Sequence, residues 1–509
     1  MKDRVQFFKN KTVDSDSKLL EKQLSSREKI KLNYSVTTKC FLDETLVINV
    51  DTASWIRTNE TGNEILKLLN GSFSTEDIIK KISKTYGVPE KLIEKDIISF
   101  ITNCHKKGII VSNKGKSSLN EPRKMALKKP VNLLHTVDHS LNTVYIDITE
   151  KCNLKCPYCY LDCSDNGINE LKAEDWINTI DEIDQLHVEN LFITGGEPLL
   201  RDDLFDILNG ANFKNIKTTG LLTNGTMINS ENIGDICDNF DIVQIALDGV
   251  NKKTHEISRG KDTFDQVLKS IELLKSALDN SKLDQVLISM TVFEENKAEV
   301  NEMVHFAYSQ NCNLSFFNVL PAGRANKSIG LHWLTLDEYS QVVIDAYKAF
   351  SEIVSENLKK GNKTNFYIKP SNVNYGSIYT AEPLHNCGLG IKELSIGSDG
   401  TVYPCRGLHF PDLSVGNIKD NKLCLLYKRS VERFLDISVN KNPVCRGCNL
   451  KYFCGGGCRL YGYLNGELNG KDPNCKLYEA SIYSAMLCKD KNIDELIDTT
   501  EVMYSRIVN

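Results

Sequence analysis

The sequence predicts an α/β protein: a parallel sheet curled into a partial (β/α)6 barrel, with a winged-helix-like α+β domain before it and a cysteine-rich domain after it. Three observations predict this. Strand and helix patterns alternate from residue 143 to about 334, as parallel strands joined by crossover helices do. Short alternating strands and three punctuated helices fill residues 33–112. The 17 cysteines are clustered, with three in one loop and eight between 387 and 475. In a chain this large, that distribution reads as metal ligation and not as a disulfide scaffold.

A chain of 509 residues is too long for one ordinary domain, and about three are expected. The net charge of −5 gives no electrostatic case for nucleic acid. No apolar h-region follows Met1, and no run approaches membrane-spanning length. The expectation is a cytoplasmic protein with no membrane partner, working at low oxygen.

Residues 1–32 are charged and lack apolar periodicity, so they read as a tail. Residues 34–50 alternate well enough for two or three short strands. A helix over 63–69 then ends at Asn70-Gly71, and Ser74-Thr-Glu-Asp77 caps a second that ends at Gly87. Pro89 opens a third helix, with Leu92, Ile93, Ile97, Ile98 and Ile101 on one face. A winged-helix layout suggests DNA binding by default. The third helix argues against it, since Glu90, Lys91, Glu94, Lys95 and Asp96 are mixed in sign.

Residues 113–142 read as a linker with a solvated basic run. The barrel strands are expected at 143–149, 190–195, 217–223, 241–247, 285–292 and 314–320, with helices such as 262–278 and 298–310 between them. In such folds ligands bind at the C-terminal strand ends. A helical bridge (335–380), the cysteine-rich domain (381–480) and a C-terminal helix (481–509) complete the chain.

The chemistry-bearing stretch is Cys152-Asn-Leu-Lys-Cys156-Pro-Tyr-Cys159, directly after the first barrel strand. Three thiols at this spacing can hold three corners of a four-iron cluster and leave one iron open. The spacing is not the paired knuckle of structural zinc. The second barrel strand ends in Gly195-Gly196-Glu197-Pro198, where glycines let the backbone approach a ligand and Glu197 can pair with an ammonium. Thr223-Asn224-Gly225 and Asp248-Gly249 are polar turns after later strands.

These stretches resemble the radical S-adenosylmethionine (SAM) enzymes. The resemblance implies that Cys152, Cys156 and Cys159 carry the catalytic cluster, whose open iron chelates the methionine end of SAM. Gly195, Gly196, Glu197 and Pro198 would bind the SAM amino group, and Thr223 and Asn224 its sugar or carboxylate. Arg259 is a candidate partner for the carboxylate, and Tyr158 would shield cluster or adenine from water. Asp248 belongs to the same candidate set, although Ala246 stands where relatives often have serine. Pro321-Ala-Gly-Arg324, after the sixth strand, recurs among relatives. Cys163 is close enough to the loop to propose as a fourth ligand, which would block SAM.

Residues 33–112, with Trp55, Gly62, Asn70-Gly71 and Asp96, resemble the PqqD-like peptide-recognition element. That implies a leader peptide added as a strand to an exposed sheet edge beside the third helix. Cys387, Cys405, Cys445, Cys448, Cys454, Cys458 and Cys475 resemble the SPASM domain. The resemblance assigns Cys387, Cys405 and Cys458 to one auxiliary cluster and Cys445, Cys448, Cys454 and Cys475 to the other. Gly455-Gly-Gly457 would let neighbouring cysteines reach different clusters. The first cluster lacks a fourth cysteine, so Cys312, Cys424, a non-cysteine residue or an open iron completes it. The remaining cysteines, Cys40, Cys104, Cys237 and Cys488 among them, are expected to be small buried apolar residues.

The implied cofactors are SAM and three 4Fe-4S clusters. The implied partners are a ribosomally synthesised precursor peptide bound through its leader and a reductant such as a flavodoxin or ferredoxin. The expected reaction is hydrogen abstraction by a 5′-deoxyadenosyl radical, leading to a cysteine-derived thioether. The alternatives are a carbon–carbon cross-link, another oxidative change as in a sulfatase maturase, and an iron–sulfur winged-helix regulator.

Overall fold

A computed structural model describes residues 29–41, 44–112, 141–163, 169–326, 332–362, 364–370 and 383–488. Most of the expected tail and linker, part of the helical bridge (371–382), and the C-terminal helix beyond 488 lie outside the described residues.

The N-terminal domain has six strands, β1 (Lys29–Leu32), β2 (Val36–Phe41), β3 (Glu44–Asn49), β4 (Ser54–Thr58), β5 (Asn70–Ser74) and β6 (Ile110–Ser112). They make two antiparallel sheets, β2-β3-β4 and β5-β1-β6. Strand β1 falls inside the stretch read as tail. Only Ile30 and Leu32 mark it in sequence, and it is held by pairing with two segments remote along the chain. The first helix starts earlier than expected, at Glu60, because Asn59 caps it by accepting the Gly62 N–H. Helix Thr75–Tyr86 begins with a capping box between Ser74 and Asp77 and ends at Gly87, whose φ is 66°.

Helix Glu90–Lys106 buries Ile93, Ile97, Phe100, Ile101 and Cys104, a stripe at 3.6-residue period. Leu92 was expected on that face, but it lies off the stripe and is 69% exposed. Strand β3 is covered on both sides. Val47 packs on the domain's own helices, whereas Leu46 and Ile48 point the other way.

Strands β7 (Thr143–Thr149), β8 (Asn190–Gly195), β9 (Thr218–Thr223), β10 (Ile242–Ala246), β11 (Gln285–Val292) and β12 (Asn313–Asn318) pair in parallel and in chain order. They are the six expected barrel strands. Val144, Ile146 and Ile148 of β7 enter the main core, as do Val243 and Ile245 of β10. Alternate residues therefore face the inside of the barrel.

The sheet runs on past the expected barrel. Strand β13 (Ile368–Pro370) adds beside β12, and β14 (Glu393–Ile396) pairs in parallel with β7. Strands β15 (Thr401–Tyr403) and β16 (Gly416–Asn417) follow as an antiparallel extension, giving ten strands in one sheet. The cysteine-rich domain thus begins as a continuation of the barrel wall. Among the described residues no helix is long and apolar enough to cross a membrane.

Candidate functional site

Consecutive parallel strands end at one rim, and the site is built there from their first loop residues. Strand β7 leads into the cysteine loop, β8 into Gly196-Glu197, β9 into Asn224 and β10 into Asp248. A cavity of about 220 Å³ opens among them. Cys152, Cys156, Cys159, Tyr158, Gly195, Gly196, Thr223, Asn224 and Arg259 all line it. Glu197 and Asp248 stand behind that lining and hold it by hydrogen bonds, while Pro198 is buried next to Glu197 and does not line the cavity.

The cysteine loop is fixed from three sides. The Gly196 and Glu197 N–H groups donate to Thr149 and Lys151 carbonyls, each at 2.8 Å. This approach needs glycine, since a Cβ on Gly196 would come 2.1 Å from the Lys151 oxygen. On the β9 side, Asn224 Nδ2 donates to Asn153 Oδ1 at 2.8 Å, and Asn153 Nδ2 to Thr226 Oγ1 at 2.8 Å. On the third side is Arg324. Its N–H donates to the Cys159 carbonyl at 2.8 Å, Nη1 to the Cys156 carbonyl at 3.0 Å, Nη2 to the Cys163 carbonyl and Nε to Asp162 at 3.1 Å.

Glu197 is fully buried. Its carboxylate accepts from Thr223 Oγ1 at 2.8 Å and from the Asn224 and Leu199 N–H groups at 2.7 and 3.2 Å. Burial raises its pKa to about 7 against the pull of those donors. Asp248 is buried as completely. It pairs with Arg259 Nε at 2.7 Å and Nη2 at 3.3 Å, and accepts from Ser258 Oγ at 2.8 Å, the Thr291 N–H at 2.9 Å and the Tyr158 hydroxyl. Burial would push its pKa up, but Arg259 prevails and the carboxyl sits below its ordinary range. Arg259 also lies over the Tyr158 ring, 5.3 Å from the centroid.

Cys163 is buried against Cys159 and lines the same cavity. Sequence reasoning did not single out Tyr160, Gln244, Ser289, Thr291, Asn318 or Arg406 as cavity residues. Period-two alternation along β10 and β11 was the signal for Gln244, Ser289 and Thr291. Nothing local marks Arg406, which reaches the cavity from the cysteine-rich domain.

The seven C-terminal cysteines fall into two neighbourhoods. Burial pushes the Cys405 thiol well above its ordinary range, and its charged neighbours are Glu393, Cys458 and Cys387. Burial likewise lifts Cys454 to about 12, and its neighbours are Cys448, Cys445 and Cys475. Gly455, Gly456 and Gly457 have φ values of 63°, 87° and 75°. This left-handed run turns the chain between the two groups, and a Cβ on Gly455 would lie 2.5 Å from the Asn386 carbonyl beside Cys387.

Arg459, 3% exposed, lies between the groups, with Cys387, Cys458 and Cys445 as electrostatic neighbours. Its Nε and Nη2 have no hydrogen-bond partner among the described residues. A buried guanidinium with orphan donors calls for an anion, and thiolate-ligated clusters are anionic. All-thiol donor sets suit iron–sulfur clusters.

Of the other cysteines, Cys104 and Cys312 are buried as expected and Cys237 is half-buried, but Cys40 and Cys424 are exposed. The Cys488 side chain lies outside the described residues.

Three family signatures match the chain. The radical SAM superfamily covers residues 146–307, coenzyme PQQ synthesis protein D (PqqD) covers 44–110, and the SPASM iron-sulfur cluster-binding domain covers 387–449. The antilisterial bacteriocin subtilosin biosynthesis protein AlbA of Bacillus subtilis is 28% identical over 64% of this chain and 69% of its own length. Mycofactocin maturase MftC of Mycolicibacterium smegmatis is 25% identical over 65% and 81%. The fold is that of Streptococcus suis SuiB bound to SAM, with a TM-score of 0.54 at 16% identity over 87% of this chain and 99% of that one. SuiB has also been solved with its precursor peptide SuiA.

Proposed function

We propose that this chain, which carries radical SAM, PqqD and SPASM domains, binds the leader of a ribosomally made peptide and installs cysteine-derived thioether cross-links in it. The observation that carries the proposal is the coexistence of three cysteine groups and a PqqD-type domain that packs directly on one of them. Relatives named for bacteriocin biosynthesis and mycofactocin maturation support the substrate class.

Cys152, Cys156 and Cys159 would hold the first cluster and the other seven cysteines the auxiliary pair. When bound, cluster and SAM supply a 5′-deoxyadenosyl radical able to take hydrogen from an unactivated carbon. The protein's own residues do the positioning. Gly195 and Gly196 leave room for the methionine end of SAM. Glu197 braces Thr223 and Asn224, and an arriving ammonium would favour its charged form. Asp248 fixes Arg259 and Tyr158 in the cavity wall, so the guanidinium approaches SAM from a preset position. The leader would add to the edge of the β2-β3-β4 sheet, where main-chain hydrogen bonds give affinity.

The test is co-expression with a short cysteine-containing precursor peptide, followed by reduction of any disulfide and mass spectrometry before and after thiol alkylation. A thioether removes a pair of hydrogens and leaves the bridged cysteine unable to alkylate. The same mass loss with the cysteine still alkylated means a carbon–carbon cross-link and overturns the thioether.

A further inference from the structure

The first auxiliary site has three cysteines for a cluster with four irons. The spare cysteines do not supply the fourth. The Cys312 thiol is buried and donates to the Gln310 carbonyl at 3.4 Å, while Cys424 is exposed on helix Leu423–Phe434. We infer that Glu393 is the fourth ligand of this cluster, binding one iron through its carboxylate. The inference rests on the reading that the SPASM cysteines assemble clusters, and it adds a residue which that reading leaves open.

Backbone geometry brings Glu393 to the site. After Cys387 the chain folds back tightly, with the Ile391 and Lys392 N–H groups donating to the Gly388 carbonyl at 3.0 and 2.8 Å. The Gly390 N–H donates to the Pro404 carbonyl at 2.9 Å, which pins this turn to the segment that carries Cys405. Strand β14 starts there. Its Leu394 and Ile396 enter the main core, which sends Glu393 to the opposite face. Glu393 Oε1 accepts the N–H of Arg406, the residue after Cys405, at 3.3 Å. Glu393 is also the carboxylate that Cys387 and Cys405 share as a charged neighbour.

The chemistry fits the gap. A carboxylate carries the same single negative charge as a thiolate, so the cluster keeps its total charge. Oxygen is a harder donor than sulfur and suits iron less well in a cluster of soft ligands. One iron of this cluster is therefore chemically distinct and the easiest to exchange, and it belongs to the protein at rest.

The experiment uses full-length protein carrying Cys152→Ala, Cys156→Ala and Cys159→Ala, so that only auxiliary clusters form. It is reconstituted anaerobically with isotopically enriched iron and studied by Mössbauer and EPR spectroscopy with and without 2-mercaptoethanol. The parent should show one distinct iron and no response to the thiol. Glu393→Ala should change the signal of the distinct iron and make it respond to thiol, or lose that cluster's iron outright. Glu393→Cys should keep full iron with uniform sulfur-ligated signals, which separates loss of a ligand from loss of fold. Identical spectra and identical thiol response in parent and Glu393→Ala would overturn the inference alone. A parent that takes up no auxiliary iron would overturn the functional reading as well.

Discussion

Asp248 and Arg259 form an ion pair with the carboxylate fully buried. Removing one partner of such a pair strands the other, at about 3–5 kcal/mol. Arg259→Ala should lower the unfolding free energy of the cluster-free protein by that amount in denaturant titration. Arg259→Lys should recover only part, because a point charge cannot reproduce the two-nitrogen contact. His255, whose Nδ1 faces the Asp248 N–H at 3.2 Å, is held neutral by burial, with a pKa of about 4. Unfolding restores an ordinary value near 6.5, so between these values the unfolded chain binds more protons and stability rises with pH. His255→Gln should flatten that acid limb of the stability–pH curve; an unchanged slope would mean the ring already titrates normally. Arg459 acts at longer range. A buried cation favours the more negative reduced state of a neighbouring cluster, so Arg459→Met should move the auxiliary potentials to more negative values in a redox titration. The expected size is roughly 60 mV, tenfold in a one-electron equilibrium. The cluster on Cys152, Cys156 and Cys159 should not move. The cysteines and the glycine-rich turns were legible in the sequence because spacing alone carries them. The roles of His255 and Arg459 were not, since they depend on burial and on which donors are left without partners.

Among the elements, the short segment after β12 has the largest effect for its length. Gly323 has φ 58°, and a Cβ there would come 2.3 Å from the Tyr160 carbonyl and 2.6 Å from that of Cys159. Gly323→Ala therefore pushes directly on the cysteine loop, and Arg324→Ala removes the side-chain donors to the Cys156 and Cys163 carbonyls and to Asp162 while keeping the backbone bond to Cys159. Either variant should cost the loop its cluster and spare the auxiliary pair, leaving about two thirds of the iron of a protein with three four-iron clusters. Iron assay with EPR checks this, and full loading in both variants would remove the clamp from the account. The six parallel strands could be read from apolar runs of the right length, and their ends agree with the structure to within a residue or two. Strands β1 and β14 could not be read this way. Each is four residues long, and partners far away in the chain define both.

In the whole molecule, the N-terminal domain is tied to the second group of C-terminal cysteines. Leu46, Ile48 and Ala53 share one buried cluster with Cys445, Phe453, Tyr478, Ile482 and Met486. Asn449 Nδ2 adds a 3.3 Å hydrogen bond to Thr37, and Arg57 donates to the Leu487 carbonyl. Leu46→Ala should cost about 2–5 kcal/mol as a core truncation. It should also speed hydrogen exchange in both β3 and helix Cys475–Cys488, whereas a response confined to β3 would mean the two regions are independent. The continuous apolar run Leu46-Val47-Ile48 in β3 hinted at two covered faces but could not name the second partner. That partner lies some four hundred residues away in sequence, and no local pattern records it. The central claim is that the loop cysteines assemble a cluster that cleaves SAM. The most direct test is to measure 5′-deoxyadenosine from anaerobically reconstituted, strongly reduced protein beside Cys152→Ala/Cys156→Ala/Cys159→Ala. The account predicts steady formation by the intact protein and none by the triple variant, which should still retain its auxiliary iron. No 5′-deoxyadenosine from fully loaded intact protein, or equal amounts from both, would contradict it.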